Sequence, residues 1–444
     1  GLDINSSYAI YNLLNEQKRE GVAVICVIED LDVLLELCDR ILILHAGEVS
    51  GIVNARTVTK DELGLYMSER IRNIMSNDMK HTGKEPFLRM KKRDNISGGK
   101  ALGIRLLAIV LALVVCSFVI IAVTGQNPLQ VYAGIIDGAV GSSRRIWVTI
   151  RETAILLLVA VGLTPAFKMK FWNIGAEGQI LMGGAASAAL MIYLGDKVPN
   201  AVLLILILLG SALAGLLWGL IPAIFKAKYN TNETLVTLML NYVAMQFITF
   251  LIVFWENPSG SNTVGIINAG SKAGWFPKMF GTDYFLNIVI VTVMTLGVYL
   301  YMKYSKQGYE ISVVGESKST AKYAGINVKK VIIRTMMVSG AICGLAGSVI
   351  VSGASHTIST STAGGRGFTA IIIAWMSNFN PVAMLAVSLL LVFMQQGSIQ
   401  IATQFGLNEN ASDIITGIIL FFLIGCEFFI RYQLKVRKSG KEEA

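Results

Sequence analysis

The stretch LLAIVLALVVCSFVIIAVT, from Leu106 to Thr124, decides the fold class of this chain because it contains no charged residue. The hydrocarbon core of a bilayer is about 30 Å thick, and a helix needs about 20 apolar residues to cross it. A water-soluble domain requires no uncharged stretch of this length. The stretch therefore predicts a helix that spans a membrane.

Apolar stretches of this kind recur about ten times and predict an all-α polytopic membrane protein. The eighth stretch is short, which predicts a broken or tilted helix. Composition agrees, since 54% of the residues are hydrophobic and 15% are charged, against about 25% charged in soluble domains. The predicted spans are about 102–124, 147–167, 173–194, 201–225, 232–255, 285–302, 331–353, 367–379, 382–403 and 411–430.

The distribution of Lys and Arg predicts the orientation of these spans. With the N-terminus inside, the cytoplasmic segments carry 23 Lys and Arg residues and the opposite loops, 125–146 among them, carry 6. Cytoplasmic loops are enriched in these residues, so both termini are predicted to be cytoplasmic. The net charge of +9 could also indicate a nucleic-acid partner. The basic residues cluster at span ends, which favours a membrane protein with no such partner.

A short soluble α/β fragment precedes the spans. Its pattern predicts a buried strand over Val22–Ile28, a helix over Asp30–Leu37, and a hairpin of Ile41–Leu44 with Glu48–Val53. Thr59 is predicted to cap a further helix. The predicted domains are the soluble fragment (1–70), a basic linker (71–100), a transmembrane domain (101–435) and a cytoplasmic tail (436–444).

The soluble fragment resembles the C-terminal end of an ABC transporter ATPase. The resemblance rests on GLD at residues 1–3 and on VAVICVIEDLDVLLELCDRILILHAGEVSGIV at residues 22–53. Glu29 stands where the best-known ATPases of this type carry a histidine that contacts the γ-phosphate. The sequence has neither the GxxxxGK[ST] phosphate loop nor the signature motif of these ATPases. The resemblance therefore implies a fragment that hydrolyses no ATP.

The chain begins at Gly1, and the segment MKKRDN at Met90 would serve as the start of a separate permease chain. We interpret the first 89 residues as an ATPase end joined to the neighbouring permease, by true fusion or by error. The five cysteines show no CxxC spacing, so free thiols are predicted rather than a metal site.

The loop 303–334 is the first candidate functional element. It contains GYEISVVGESKSTAKYAGINVKKVIIR, in which Glu316–Tyr323 is predicted to form a short helix ended by Gly325. A polar helix between two spans suits docking to another protein. Binding of its lysines to acidic lipid headgroups is the alternative.

This loop resembles the coupling segment of type II importer permeases for branched-chain amino acids, ribose-like sugars and nucleosides. The resemblance implies contact with a partner ATPase, and it suggests Ser319, Thr320 and Lys322 as contacting residues. The matching pattern residues are Gly315, Glu316, Ala321, Gly325 and Ile326.

Three further stretches are similar to permeases that work with lipoprotein nucleoside receptors. They are FWNIGAEGQILMGG (171–184), KAKYNTNETLVTLMLNYVA (226–244) and GGRGFTAIIIAWMSNFNP (364–381). Two departures from the pattern are Trp172, which interrupts a Phe-Asn pair, and the run Ile371–Ile373. Both departures could change the width of the transport pathway.

Polar residues within the spans are the candidates for that pathway. Asn173, Glu177 and Gln179 follow one another closely, and Asn241 lies deeper in its span. A carboxylate facing lipid costs at least about 2.5 kcal/mol, so Glu177 is expected to face the interior. Lys170 or Arg151 is its predicted partner. Structural pairing is the alternative role, as close packing is for the neighbouring glycines.

The ring of Trp375 and the amides of Asn378, Gln395 and Gln396 are further pathway candidates. A nucleoside offers a flat base and ribose hydroxyls, for which a ring face and amides are suitable partners. Hydrogen bonds between helices are the alternative role for these amides.

These resemblances imply the permease subunit of an ATP-driven importer in a bacterial plasma membrane, with nucleosides as cargo. The implied partners are ABC ATPase subunits, a second permease subunit, a lipoprotein or periplasmic substrate-binding protein, and membrane lipid. ATP and Mg would be used by the partner ATPase, and no cofactor by this chain.

Three alternatives remain open. A ribose-like sugar could be the cargo. An ion-gradient transporter would require carboxylates in mid-span, whereas the charged residues lie towards span ends. A lipid-modifying enzyme would require clustered Asp, Glu or His at a membrane face, and the sequence offers none.

Overall fold

The computed structural model describes residues 4–28, 31–45, 48–60, 62–63, 88–92, 98–406 and 432–436, with 414, 417–418, 421–422 and 425–426. The chain divides into two compact units. One comprises Gly1–Met90 and Leu434–Ala444, and the other comprises Lys91–Gln433. Residues 1–3, Glu29, most of 71–100, most of the predicted span 411–430 and residues 437–444 lie outside the described residues.

The N-terminal unit contains two helices and a hairpin. The helices are α1 (Ile4–Arg19) and α2 (Leu31–Leu37). Strands β1 (Arg40–His45) and β2 (Glu48–Asn54) pair antiparallel, as predicted. A small apolar core beneath them includes Ile41, Ile43, Ala55 and Leu63.

The predicted strand Val22–Ile28 is wrong, because residues 22–28 form no regular structure. The side chains of Ile25 and Val27 are 97% and 98% exposed. A continuous apolar strand is typical of a sheet interior, where strands on both sides supply its hydrogen bonds. The described part of this unit supplies no such neighbours.

The predicted cap at Thr59 is confirmed. The Thr59 N–H donates to Glu62 Oε2 at 2.8 Å, and the Glu62 N–H donates to Thr59 Oγ1 at 3.3 Å. This reciprocal pair is a capping box, which satisfies two backbone donors at the start of a helix.

The membrane unit is built almost entirely of helices. A second small sheet pairs β3 (Leu88–Lys92) with β4 (Tyr432–Val436), and the boundary between the two units falls within both strands. The helices are α3 (Gly98–Thr124), α4 (Pro128–Val140), α5 (Ser143–Lys168), α6 (Ala176–Leu194), α7 (Asn200–Tyr229), α8 (Glu233–Trp255), α9 (Phe285–Tyr304), α10 (Lys306–Glu316), α11 (Lys318–Tyr323), α12 (Val328–Ile350), α13 (Arg366–Met376) and α14 (Pro381–Phe405).

Among the described residues, six helices are long and apolar enough to cross a membrane, namely α5, α7, α8, α9, α12 and α14. Helix α13 has 11 residues, so the predicted short eighth span is confirmed. The prediction that residues 125–146 form only a loop is wrong, since this segment contains α4. Pro128 at the first turn and the Asn127 side chain, which accepts from the Leu129 N–H at 3.0 Å, start this helix.

Helices α5 and α12 form the centre of the bundle. In the most apolar 18-residue stretch of each helix, 72% of the stretch is buried in α5 and 78% in α12. The corresponding share in the other four spanning helices is 17–39%. Helix α12 continues through one π-helical turn, Val351–Ser355. The remaining helices therefore surround this central pair and expose apolar faces.

Glycines set the contacts of α12 with α6 and α7. A Cβ atom at Gly183 would lie 2.1 Å from the carbonyl oxygen of Gly344, and one at Gly340 would lie 2.5 Å from that of Gly215. The three helices therefore touch backbone to backbone. Close packing through small residues, which the sequence offered as one role for these glycines, accounts for them.

Irregular backbone follows each of the two central helices. The first break, residues 169–175, joins α5 to α6, and the second break, residues 356–365, joins the π-helical turn to α13. Irregular backbone within a membrane bundle is tolerated only where it is buried in protein or lines a water-filled cavity. The two breaks are therefore the natural place to look for a functional site.

Candidate functional site

Buried amides hold the first break. Asn173 is fully buried, and its Oδ1 accepts a hydrogen bond from the Gly175 N–H at 3.0 Å. Its Nδ2 lies 3.4 Å from Gln179 Oε1 and 3.4 Å from Ser339 Oγ of α12. Two predicted site residues, Asn173 and Gln179, are thus brought together.

Asn241 joins α8 to the same break. Its Oδ1 accepts from the Gly178 N–H at 2.9 Å, and its Nδ2 donates to the Ile174 carbonyl at 3.0 Å. The Thr237 hydroxyl accepts from the Ile174 N–H at 3.2 Å. Side chains therefore replace the hydrogen bonds that a continuous helix would have made here.

Glu177 binds the N-terminus of α13 across the two breaks. Its Oε1 accepts from the Gly365 N–H at 2.7 Å, and its Oε2 accepts from the Gly367 N–H at 2.8 Å. The first amides of a helix lack partners within it and carry partial positive charge, so a carboxylate is favoured there. The predicted pairing of Glu177 with Lys170 or Arg151 is wrong, because these amides occupy both carboxylate oxygens.

A second carboxylate binds the same end of α13 through a side chain. Glu152 Oε2 lies 2.7 Å from Arg366 Nη2, and its Oε1 lies 2.5 Å from Arg151 Nη2. The Arg151 guanidinium also lies 4.7 Å above the Tyr284 ring. Sequence reasoning missed this network. The sequence feature that could have revealed this network is Glu152, a charged residue inside an apolar span, because such a charge needs a partner.

Aromatic side chains join the breaks at the other end of α13. The rings of Trp172 and Trp375 are stacked, with centroids 5.3 Å apart and planes 16° apart. Phe167 lies edge-on to both, at 5.9 and 6.0 Å. Phe379 lies edge-on to Trp375 at 5.4 Å.

Three predicted site residues lie away from this assembly. Asn378 is exposed in the turn between α13 and α14, with a left-handed φ of 47°. On α14, Gln395 is exposed and Gln396 is half-buried. A different glutamine of α14, Gln400, accepts a hydrogen bond from Arg145 Nη2 at 3.0 Å. Among the described residues, no group of three or more Asp, Glu, His or Cys could hold a metal ion.

The predicted coupling loop forms two short helices rather than one. Helix α10 ends at Glu316, and α11 begins at Lys318 with the Ser317 hydroxyl accepting from the Thr320 N–H at 3.2 Å. Placing Glu316 in the same helix as Tyr323 is therefore wrong. Serine at this position favours a new helix start, because its side chain caps the backbone.

Helix α11 has one anchored residue and an exposed face. Ala321 is fully buried in an apolar cluster with residues of α5, α7 and α12. Ser319, Thr320 and Lys322, the residues predicted to contact a partner, are exposed. The helix stops at Gly325, whose φ of 75° favours glycine, and the Ile326 N–H donates to the Ala321 carbonyl at 2.9 Å.

Helix α10 touches both central helices. A Cβ atom at Gly315 would lie 2.0 Å from the Lys168 carbonyl at the end of α5. Glu310 forms an ion pair with Arg334 of α12 at 2.7 Å. The coupling helices are thus attached directly to the two helices that carry the breaks.

Spanning helices, two breaks that meet inside the bundle, and a polar helix pair next to the central helices define a membrane transport subunit. The chain belongs to the family described as branched-chain amino acid transport system / permease component, whose model matches residues 146–424. No solved structure matches the chain.

Two relatives align over most of the chain. The guanosine ABC transporter permease protein NupP of Bacillus subtilis is 29% identical over 340 residues, which is 76% of this chain and 96% of that protein. The nucleoside ABC transporter permease protein NupB of Lactococcus lactis is 29% identical over 346 residues, 76% of this chain and 94% of that protein.

A third relative is of another kind. A stretch of 74 residues is 43% identical to the galactose/methyl galactoside import ATP-binding protein MglA of Clostridium perfringens. The stretch is 17% of this chain and 14% of that protein. Similarity to an ATP-binding protein is thus limited to a small part of either chain.

Proposed function

We propose that this chain is the membrane-spanning permease subunit of an ATP-driven importer of nucleosides. The observation that carries the cargo assignment is the 29% identity to a guanosine permease over 96% of that relative's length. The family supplies the transport class, and the relative supplies the chemical class of the cargo.

The proposed mechanism is alternating access driven by partner ATPases. The exposed residues Ser319, Thr320 and Lys322 would dock to an ATPase, with Gly315, Glu316, Gly325 and Ile326 shaping the docking segment. Helix α10 contacts the end of α5 at Lys168, and the first break follows immediately. Motion of α10 would therefore reach Trp172, Asn173 and Glu177, and through Glu177 the N-terminus of α13.

The partners and the orientation are part of the proposal. The coupling helices face the cytoplasm in this account, in agreement with the excess of Lys and Arg in the segments assigned to that side. Both termini would then be cytoplasmic. A second permease subunit and an external substrate-binding protein complete the importer, membrane lipid surrounds it, and the ATPase partner uses ATP and Mg, with no cofactor bound by this chain.

We also propose that residues 1–70 are the C-terminal fragment of an ABC ATPase, followed by the linker 71–100, the permease 101–435 and a tail 436–444. The 43% identity of one stretch to MglA supports this origin. The exposed side chains of Ile25 and Val27 support it too, because they lack the sheet neighbours that a whole ATPase would provide. Such a fragment would hydrolyse no ATP.

A simple sugar is the alternative cargo. It is favoured by the same stretch, because the protein it resembles imports galactose and methyl galactoside according to its name. The permease part resembles nucleoside permeases over a far greater length. We therefore place nucleosides first.

Uptake of labelled guanosine, uridine and ribose separates these cargoes. Cells that contain the native partners are compared with and without residues 90–444. Loss of nucleoside uptake alone is expected. Loss of ribose uptake alone would move the cargo to sugars and leave the permease class unchanged.

The coupling assignment has its own test. Ala321→Leu would force α11 away from its buried cluster and should abolish ATP-driven uptake while the protein remains inserted. Ala324→Leu, the same substitution at an exposed position just after α11, is the matched control. Normal uptake by the inserted Ala321→Leu variant would contradict the assignment.

A further inference from the structure

The stacked pair Trp172–Trp375 combines two properties that rarely occur together in a bundle core. The rings are held in a fixed geometry, yet the two residues are 46% and 42% exposed. Phe167, which is only 2% exposed, supports both rings from beneath through edge contacts. The result is a rigid aromatic platform with open indole surface.

The surroundings of this platform are polar. Trp172 belongs to the first break, next to the exposed Lys170, whose φ is 57°. Trp375 ends α13, next to the turn in which Asn378 and Phe379 are also left-handed. The open indole surface therefore lies at a polar end of the bundle, beside Phe167 in the last turn of α5.

The platform also connects the segments that must move in transport. Trp172 follows α5, whose end contacts α10 through Lys168 and Gly315. Trp375 lies on α13, whose N-terminus is bound by Glu177 and, through Arg366, by Glu152, and whose residues Ala370, Ile373 and Ala374 are fully buried. A displacement of α10 would therefore act first on Trp172, which follows the end of α5, and would change its spacing from Trp375.

We propose that Trp172 and Trp375 form a gate that binds the nucleobase of the cargo by stacking. The inference rests on the proposed nucleoside function and names the part of the cargo that this site binds. In the state described, the rings contact each other. In the state that passes cargo, the rings separate and a planar base takes the place of one of them.

This site selects for a planar base and against a bare sugar. Every base has a π-face, so stacking tolerates purines and pyrimidines alike. Ribose has no such face, so the indoles bind it less strongly than they bind a base. The gate therefore separates nucleosides from simple sugars without any hydrogen-bond readout of the base.

Uptake kinetics of leucine and phenylalanine variants test the gate. Trp172→Leu and Trp375→Leu should raise the KM for guanosine and uridine about tenfold, because stacking on one base contributes that order of affinity. Trp172→Phe and Trp375→Phe retain a π-face and should stay within about threefold of the wild type. Trp255→Leu, a half-buried tryptophan on α8, is the matched control, and the amount of inserted protein is measured for each variant.

A second measurement does not depend on transport. In the variant Trp172→Cys, assembled with the native partners, the rate at which a water-soluble maleimide modifies the introduced cysteine is measured against the wild-type background. Guanosine at saturating concentration should slow this modification at least about threefold relative to ribose, since a base stacked on the remaining Trp375 ring covers the position.

The outcomes distinguish this inference from the function on which it rests. Wild-type uptake of ribose without nucleosides would overturn both together. Wild-type nucleoside uptake combined with unchanged KM values in the leucine variants, or equal modification rates of Trp172→Cys with guanosine and ribose, would overturn the gate alone. Equal loss of nucleoside and ribose uptake would also overturn it, by assigning the tryptophans a structural role.

Discussion

The two breaks differ in how their backbone is satisfied. In the first break, residues 169–175, buried amides from Asn173 and Asn241 bind the irregular backbone. The second break, residues 356–365, leads into α13, which is held by the charges of Glu177 and Glu152 at one end and by aromatic rings at the other. Neutral amides therefore dominate the first break, whereas charges and ring faces supply the polar and aromatic contacts of α13, whose residues Ala370, Ile373 and Ala374 are also buried in the main apolar core.

The first break is thus bound mainly by neutral amides, and the N-terminus of α13 by two carboxylates. Glu177, at the start of α6, accepts hydrogen bonds from two backbone amides of that N-terminus. Four substitutions can break or sharpen this comparison, and they are described from the largest expected effect to the smallest.

Arg366→Leu should have the largest effect, because it removes a guanidinium partner from the buried Glu152. Breaking a buried ion pair by removing one partner costs about 3–5 kcal/mol of folding free energy, and the remaining pair of Glu152 with Arg151 places the loss at the lower end of that range. We expect a lower melting temperature for the detergent-solubilised protein. Lys278→Leu removes the exposed pair with Asp283 and should cost less than about 1 kcal/mol. Equal shifts for the two variants would show that α13 is not held by its charges.

Asn241→Leu should loosen the first break. The substitution leaves the Gly178 N–H and the Ile174 carbonyl without their partner, at about 1–3 kcal/mol for each buried group. Melting temperature and nucleoside uptake should both fall. Thr249→Val changes an exposed residue of the same helix and should change neither. An unaltered melting temperature for Asn241→Leu would show that the Asn241 amide does not stabilise the first break.

Glu177→Gln should weaken the contact between the breaks at nearly constant volume. A carboxamide retains one acceptor oxygen and turns its NH₂ group towards a backbone N–H, so about 1 kcal/mol of charge–dipole attraction is lost. Reduced uptake at normal membrane expression is expected. Glu256→Gln is the control, because Glu256 also accepts from a backbone N–H, that of Gly260 at 2.8 Å, but is solvent-exposed. If only expression changes, Glu177 is structural.

His356 gives the second break a pH dependence that the first break, which contains no histidine, lacks. Its ring stacks on Trp275 at 3.7 Å, and burial lowers its pKa below the ordinary value of 6.5, with a further lowering by Arg151 and an opposing effect of Asp283. The unfolded chain therefore binds the proton more readily, so stability should be full above pH 6.5 and fall on acidification towards the folded pKa.

His356→Phe keeps a ring for the stack and removes this titration. Melting curves between pH 8 and pH 5 should show a smaller loss of stability for the variant than for the wild type. Identical pH profiles would exclude His356 as the source.

Six of the ten predicted spans are long and apolar enough in the described residues, and they were predictable because a bilayer imposes a length on every apolar helix, as in Asn200–Tyr229. The short eighth span was predictable for the same reason. Helix α4 was missed because its 13 residues are too few to cross a membrane, so a criterion of length alone assigns them to a loop. The Ser317 break between α10 and α11 was missed because a cap acts through one side chain, which periodicity does not detect.

The partners of buried charged residues could not be predicted from the sequence. It identified Glu177 as a residue that needs a partner, but the partner is a pair of backbone amides that every residue possesses. Arg366 and Glu152 lie 214 positions apart, and no local pattern joins them. Trp375 was identified as a ring face, whereas its stacking on Trp172 required the folded chain.

The glycine contacts between α6, α7 and α12 have a mechanical consequence. With Gly183 on Gly344 and Gly215 on Gly340, no side chain lies between these backbones to act as a bearing. A methyl group added at Gly183 or Gly340 would force two backbones apart, so α6 and α7 are each matched to α12 at positions that accept only glycine.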